Sequence, residues 1–564
     1  MGKEKYAVGI DFGTLSGRAV LARLSDGEIL AQSALAYRHG VYEETLPDGT
    51  KAPSGWALQD PADYLEVLFH TVPEILKAAG VCPENVVGIG VDVTSCTMFP
   101  VDERGIPLCF QEKYKNHPHA YGKLWKHHAA QPEADRLNRL AAERGEDFLL
   151  RYGNKVSSEW MFPKLMEICE EAPEIYEAAA RFIEAADWLP WMLTGKETRA
   201  ASMAGYKALW HESGYPPEEF LASLHPLLRN APKEKLGDGV LPQGSLAGHL
   251  TKEMAEKLGL SEQTAVSVGN IDAHVALPSV GITEPGKLLM ILGTSTCDIL
   301  CGEDERHVPG ICGVVKDGAL PGLYGYEAGQ PCVGDMLDWF SRRCVPESYK
   351  KEAEAAGVSL QELLTKKAEM LIPGESGLLA LDWWNGNRSV LVDSELSGMI
   401  LGLTLKTKPE EIYRALIEAT AFGQRMLIEN FEAFGVPVKE LYACGGIAKK
   451  NPMMMQIYAD VCKREIFVGK SDQSPALGSA MFGAVAAGKM GGGYDTIGEA
   501  AAAMGHVEEK TYVPIPEHAD VYDRLYREYE RLYAYFGRGE NGVMKRLLSE
   551  KREAGEKKRR GQST

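Results

Sequence analysis

The sequence predicts two α/β domains facing each other across a cleft. Two observations carry that expectation. In both halves of the chain a short apolar strand runs straight into a Gly/Ser/Thr turn, "IDFGTLSG" near residue 10 and "ILGTSTCD" near residue 291. This is faint internal similarity rather than a short-period repeat. The 564 residues are 45% apolar and 25% charged, ordinary globular proportions that exclude disorder, collagen and a small disulfide scaffold.

The elements follow in order. Tyr6 to Ile10 is short and apolar, and Asp11-Phe12-Gly13-Thr14 leads through Ser16-Gly17-Arg18 into Ala19-Val20-Leu21, so two strands flank a turn. Val86 to Val93 is a buried strand carrying Asp92 near its end, followed by Thr94-Ser95-Cys96-Thr97. Residues 110 to 260 alternate charged and apolar positions at helical spacing. A second set of strands begins at 266, with Asn270-Ile271-Asp272 after the first and Gly293-Thr294-Ser295-Thr296 after Leu288 to Leu292. The spacing predicts one long helix over 409–434, with Pro409 near its start and Gly435 past its end. A strand then enters Gly445-Gly446, and Lys449-Lys450-Asn451 opens a Met-rich helix. Val521, Leu525, Tyr529, Leu532 and Phe536 predict an amphipathic helix. The domains expected are 1–280, 281–540 and a basic tail, 541–564, read as solvated and frayed.

Charge and composition narrow the class. The net charge of −18 argues against chain-wide attraction to nucleic acid or anionic lipid. It leaves room for a local anion site, because loop amides and helix N-termini hold phosphate in acidic proteins. No apolar run reaches the roughly 18 residues a bilayer needs, and MGKEKYAVGID has no signal core. Eleven cysteines without a CxxC pair suit free thiols in a reducing compartment, so a cytoplasmic enzyme is expected. Three attractive patterns are set aside. Gly281 to Lys287 has Walker A spacing, but Leu288 stands where Ser or Thr must hold magnesium. Asp11-Phe12-Gly13 lacks the upstream kinase motifs. The histidines at 117, 119, 127 and 128, and Cys297 with Cys301, complete no metal set.

The chemistry lies in three glycine turns, at 11–18, 293–296 and 444–446, combined with Asp11 and Asp272 at strand ends. Glycine allows close backbone approach, and Ser and Thr add donors without bulk, as polyphosphate recognition requires. Phosphoryl transfer asks for little more than magnesium, donors around the moving group and an acceptor for the nucleophile's proton. Asp272 suits the proton acceptor and Asp11 the magnesium site; a helix cap or turn bond is the plain alternative for each.

Several stretches, taken in order, resemble the FGGY carbohydrate kinases over residues 5 to 535: "GIDFGTLSGRAVL" at 9–21, "SSEWMFPKLMEI" at 157–168 with Pro163 and Lys164, "GNIDAH" at 269–274, "SGMILGL" with the helix after it, and "CGGIAKKNPMMMQIYAD" at 444–460. "PHAYGKLWKHHAAQ" at 118–131 and "GLLALDWWNGNRS" at 377–389 look like the branch acting on L-ribulose rather than on glycerol or xylulose. The resemblance implies an actin-like fold of two ribonuclease-H-like domains with a cleft between them, a first domain that binds sugar and a second that binds nucleotide. It implies ATP and Mg2+ as cofactors and transfer of a phosphoryl group to O5 of L-ribulose, in L-arabinose breakdown. Carried across by motif, Asp272 is the base and Asp11 holds magnesium. Thr14, Ser16, Arg18, Gly293, Thr294, Gly334, Gly445, Gly446 and Asn451 border the nucleotide. Ser95, Cys96, Lys207, Glu327 and Trp125 join Asp272 around the sugar. Lys207 pairing with Glu327, and Trp125 as a core aromatic, are the structural alternatives. His127 stands where many members of the family carry Asp, which puts a sugar contact there in doubt. A kinase for another ketopentose or polyol, and an actin- or Hsp70-like ATPase, are the competing readings; "SSEWMFPK" and "LDWWNGN" count against the ATPase. A homodimer is the expected assembly, from base rates alone.

Overall fold

The protein is described here from a computed structural model covering residues 4–561. Seven strands build the first sheet: β1 (Tyr6–Phe12), β2 (Ser16–Arg23), β3 (Ile29–Ala36), β4 (Val86–Val93), β5 (Leu246–His249), β6 (Ala265–Ser267) and β7 (Asn270–Ile271). Their order is β5-β6-β4-β1-β2-β3, with β7 also pairing β4. β1 and β4 run parallel and are buried along their whole length, which is why their sequences are continuous apolar runs rather than alternating ones.

Six strands build the second sheet: β8 (Lys287–Leu292), β9 (Thr296–Gly302), β10 (Gly313–Lys316), β11 (Tyr324–Gln330), β12 (Glu440–Cys444) and β13 (Ile466–Val468), in the order β10-β11-β9-β8-β12-β13. The two sheets share one plan. A hairpin, β1–β2 or β8–β9, is extended antiparallel on one side and parallel on the other. The internal similarity read in the sequence is therefore the same turn of a duplicated topology.

The helices that matter to the site are α1 (Pro61–Ala79), α2 (Met161–Glu171), α3 (Ala201–Lys207), α4 (Gly334–Arg343), α5 (Pro409–Ala433), α6 (Pro452–Cys462), α7 (Ser474–Gly491), α8 (Pro516–Gly537) and α9 (Val543–Gly561). α1 shows how sequence sets a boundary. Asp60 accepts the Ala62 N–H, Pro61 opens the helix, and Gly80 closes it in the left-handed region. α7, whose backbone breaks at Gly488, leaves the second sheet and crosses to lie on β1 and β4 of the first. It approaches so closely that a Cβ on Gly90 would stand 1.9 Å from the Ser479 carbonyl oxygen, and one on Gly9 1.7 Å from that of Ala476.

Three expectations needed revision. Residues 110–260 are not purely helical. Gly122–Lys123 and Arg181–Glu184 join Leu58–Gln59 and Met98–Val101 in a four-stranded sheet. On α8 the buried row is Tyr522, Tyr526, Tyr529 and Tyr533. Hydropathy favours the leucines, but three of the tyrosine hydroxyls reach Glu418, Glu429 and Asp382 and so tolerate burial. The basic tail is helical as α9, held by Met544 in the core and by the pairs Lys545–Asp393 and Arg552–Glu395, rather than frayed. Among the described residues no helix is long and apolar enough to cross a membrane.

The seating of α7 is testable. Gly90→Ala pushes a methyl group against backbone and should lower the urea-unfolding stability by more than about 3 kcal/mol. Gly498→Ala, whose Cβ meets Thr496 at an ordinary 3.8 Å, should shift it by less than about 1 kcal/mol. Equal midpoints for the two variants would contradict the close approach.

Candidate functional site

The first part of the site is written in strand register. β1 pairs β4 in parallel with Asp11 opposite Asp92, and β7 pairs β4 with Asn270 opposite Asp92. Aligned residues of parallel neighbours face the same way, so the carboxylates of Asp11 and Asp92 project side by side at the carboxyl ends of the strands. Asp272 begins the helical turn directly after β7. Ligands bind outside the carboxyl ends of strands in sheets of this type.

These three carboxylates are poorly compensated. Arg18 Nε lies 3.4 Å from Asp11 Oδ2. Ser479 of α7 donates to Asp92 Oδ2 at 2.5 Å, while Asp92 Oδ1 has no partner among the described residues. Asp272 accepts the Ala273 N–H at 2.8 Å. Burial, with the charge of Asp11 adding to it, pushes the Asp272 carboxyl up to about 7. Burial also raises Asp11 against the pull of Arg18, and raises Asp92 far more, with Asp11 beside it.

The glycine turns are placed by the same strand ends. In the first turn Gly13 N–H reaches Ser16 O at 3.0 Å, Gln59 donates to Thr14 O at 2.7 Å, and the Trp125 indole donates to Thr14 Oγ1 at 3.1 Å. Arg18 also reaches Gln473 at 3.4 Å, just before α7. In the second sheet Ile291 lies opposite Cys444, so the Gly293-Thr294 and Gly445-Gly446 turns leave neighbouring strands at one edge. Val333 N–H donates to Thr294 O and Gly334 N–H to Gly293 O, at 3.0 and 3.1 Å, which brings the start of α4 onto the same turn. Gly445 has φ of 95° and a Cβ there would lie 2.4 Å from Leu292 O, so only glycine suits it. Asn451 is buried and caps α6, accepting the Met454 N–H at 3.1 Å.

The third part spans both sheets. Ser95 and Cys96 lie in the loop after β4, Cys96 with φ of 64°. Lys207 ends α3, and its ammonium sits 3.0 and 3.1 Å from the two oxygens of Glu327 on β11. The pairing alternative is therefore realised, between one residue from each half of the chain. His274, two residues past Asp272, reaches Glu327 through Nε2 at 3.1 Å and stacks edge-on against Tyr206. Burial acts to raise the Glu327 carboxyl, but Lys207 and His274 outweigh it and hold it well below the usual carboxylate range. Trp125 is half-buried, with its indole N–H directed to the phosphate turn. His127 is wholly buried on Glu167, 3.0 Å away, and faces no cleft.

Residues 6–278 match the N-terminal domain, and 288–487 the C-terminal domain, of the FGGY family of carbohydrate kinases. The chain belongs to the FGGY family of carbohydrate kinases. The ribulokinase of Bacillus licheniformis is 60% identical over 94% of this chain and 97% of its own. That of Halalkalibacterium halodurans is 56% identical over 96% and 97%, and that of Mycolicibacterium smegmatis 48% over 97% and 96%. Among solved structures, xylulose kinase from Rhodospirillum rubrum superposes with a TM-score of 0.76 at 25% identity, over 94% of this chain and 98% of that one. Plasmodium falciparum glycerol kinase with ADP gives 0.73 at 16% identity, over 94% and 98%.

Sequence reasoning missed residues of this carbohydrate kinase that the fold places beside the expected ones. Asp92 was visible as a strand end but carried no motif. His274 lay inside "GNIDAH" beside the more conspicuous Asp272. Arg388, in the "NGNRS" segment, is half-buried; burial opposes its charge, and Glu159 first, with Glu327 among others, favours it. The buried pair gives a direct test. Lys207→Met and Glu327→Gln should each lower stability by about 3–5 kcal/mol, with the double variant well short of the sum. Additive losses in urea unfolding would separate the two side chains.

Proposed function

We propose that this kinase transfers the γ-phosphoryl group of ATP to O5 of L-ribulose, releasing L-ribulose 5-phosphate and ADP, as the kinase step of L-arabinose breakdown. The observation that carries the reading is the 48–60% identity to ribulokinases over almost the whole chain.

In this reading Asp272 accepts the proton of the 5-hydroxyl as the new O5–P bond forms and the bond from the γ-phosphorus to the bridging oxygen breaks. A carboxylate at a desolvated strand end suits a general base, a role worth about 10²- to 10⁴-fold. Asp11 would hold Mg2+. Two aligned buried carboxylates would receive it, Asp11 with Arg18 3.4 Å away and Asp92 with Oδ1 unpartnered among the described residues, where no group of three or more acidic, His or Cys side chains forms a metal set by itself. When bound, magnesium neutralises charge on the β- and γ-oxygens. Thr14, Ser16 and Arg18 from the first turn and Thr294 from the second supply donors around the phosphates, while Gly293 and Gly334, whose N–H groups are used at 3.0 and 3.1 Å within the structure, keep that wall free of side chains. Gly445 and Gly446 leave room for the nucleotide, and Asn451 keeps the adjoining helix in place. Ser95, Cys96, Lys207, Glu327 and Trp125 border the sugar. The Lys207–Glu327 pair offers a donor and an acceptor already fixed in orientation, which spares the sugar's hydroxyls the work of ordering them.

ADP release at fixed ATP and magnesium should give the highest kcat/KM with L-ribulose among L-ribulose, D-ribulose, L- and D-xylulose and glycerol, and little ADP without sugar. Another sugar in first place would change the substrate, and equal ADP without sugar would refute the kinase reaction. Asp272→Asn should keep both substrates bound and lower kcat by about 10²-fold or more; near-normal turnover removes Asp272 from the base role. The base works only when ionised, so kcat/KM for sugar should fall as pH drops below about 7, where Asp272 takes up its proton. Saturating magnesium, a nearby positive charge, should move that inflection to lower pH.

A further inference from the structure

Lys164 and Glu167 lie one turn apart on α2 and are both fully buried, although neither faces the reacting groups. The Lys164 ammonium has three hydrogen-bond partners, all backbone carbonyls: Cys96 at 2.5 Å, Lys123 at 3.1 Å and Leu124 at 3.0 Å. Its three protons are thus all used. A buried ammonium is costly, and an apolar side chain of the same length would fill this space without that penalty. The two segments already meet in the four-stranded sheet, where Met98 lies opposite Lys123; what the ammonium adds is a tie just beyond that pairing, from the Cys96 carbonyl to those of Lys123 and Leu124.

Glu167 secures the second loop from the same side. Its carboxylate takes Lys123 Nζ at 3.0 Å and His127 Nε2 at 3.0 Å. His127 Nδ1 accepts the Ala57 N–H at 3.2 Å, which leaves the proton on Nε2 and fixes the ring as a donor to Glu167. Leu124 N–H donates to Ala57 O at 3.0 Å, and Lys123 Nζ lies 4.5 Å over the Trp56 ring. Residues 123, 124 and 127 are therefore held from beneath. Trp125 stands between them, reaching out to Thr14 of the phosphate turn. The first loop is held at Cys96, in a left-handed conformation that a non-glycine residue adopts only when its surroundings impose it.

We propose that Lys164 is a positioning residue for sugar binding: one buried ammonium ties the Ser95-Cys96 loop to the Trp125 segment, and Glu167 braces that segment against α2. The proposal rests on the sugar site assigned above. The ammonium touches neither substrate and acts through the placement of Cys96 and Trp125. Displacement of a site wall by an ångström can cost about 10²-fold in rate.

Lys164→Met keeps the length and removes every donor. Expected are a rise in KM for L-ribulose of about tenfold or more and a KM for ATP within about twofold of wild type, in protein whose cooperative thermal unfolding shows it folded. A purely structural lysine would lower the melting temperature and leave that split unchanged. The inference is overturned if the sugar KM stays within about twofold, or if both KM values rise together. Should Lys164→Met not fold, Glu167→Gln takes the same measurement with the same two outcomes. Lys207→Ala, with the clamp intact, separates this from the site assignment. If it leaves the sugar KM unchanged while Lys164→Met raises it, the clamp stands and the Lys207 contact falls. If Lys207→Ala raises the sugar KM and Lys164→Met does not, the site stands and the clamp falls.

Discussion

Helix α7 lies on β1 and β4 at backbone contact, and the rest of the molecule is arranged around that approach. The helix starts beyond the last strand of the second sheet, yet its small residues sit where Gly9 and Gly90 leave no side chain in the first. One covalent segment therefore joins the domain carrying the glycine turns at 293–296 and 444–446 to the sheet carrying the carboxylates. The Ser479 hydroxyl on this helix also binds Asp92, the carboxylate aligned with Asp11. A shift of α7 along the sheet would move the strand ends and the far domain together. Packed interiors deform little, so such a contact sets a discrete geometry rather than a range.

The electrostatics follow from that geometry. Three carboxylates gather where strands end and water is scarce, with one arginine close to Asp11 and one hydroxyl on Asp92. The arrangement is unfavourable in isolation, and burial holds all three carboxyls above their usual range. Glu327 shows the opposite solution a short distance away. It too is desolvated, but Lys207 and His274 complete it, and it stays ionised. Two buried acids thus differ because of their partners, not their burial.

What the sequence revealed was local. Turns after apolar strands were legible because glycine and threonine are required there for backbone reasons, and the boundaries of α5 were legible from Pro409 and Gly435. Asp272 was legible because it stands at a strand end, within "GNIDAH". The interactions that span the chain were not. Nothing in "SPALGSAMFGAVAAG" says that its small residues meet β1 and β4 rather than a neighbouring helix, and no spacing links Ser479 to Asp92, 387 residues away. Lys164 was recognised as part of a motif, but the carbonyls it holds belong to segments 40 to 68 residues distant. Basic residues near the carboxyl terminus read as solvated because their acidic partners, Asp393 and Glu395, are remote in sequence.

The duplicated topology finally explains why the two halves do different work. Asp11 is the penultimate residue of β1 and lies opposite Asp92, whereas Ile291, penultimate in β8, lies opposite Cys444. The same position in the same fold is a carboxylate pair in one sheet and an apolar pair in the other. A carboxylate at the end of β8 would repel a polyphosphate at close range, and in a site of low dielectric that repulsion is not screened. The second sheet therefore shows no carboxylate at this position, and its turn is built from glycine, threonine and serine. The first carries the aligned acid pair there instead. Exchanging the pairs would place negative charge against negative charge, and no movement of the domains would relieve it.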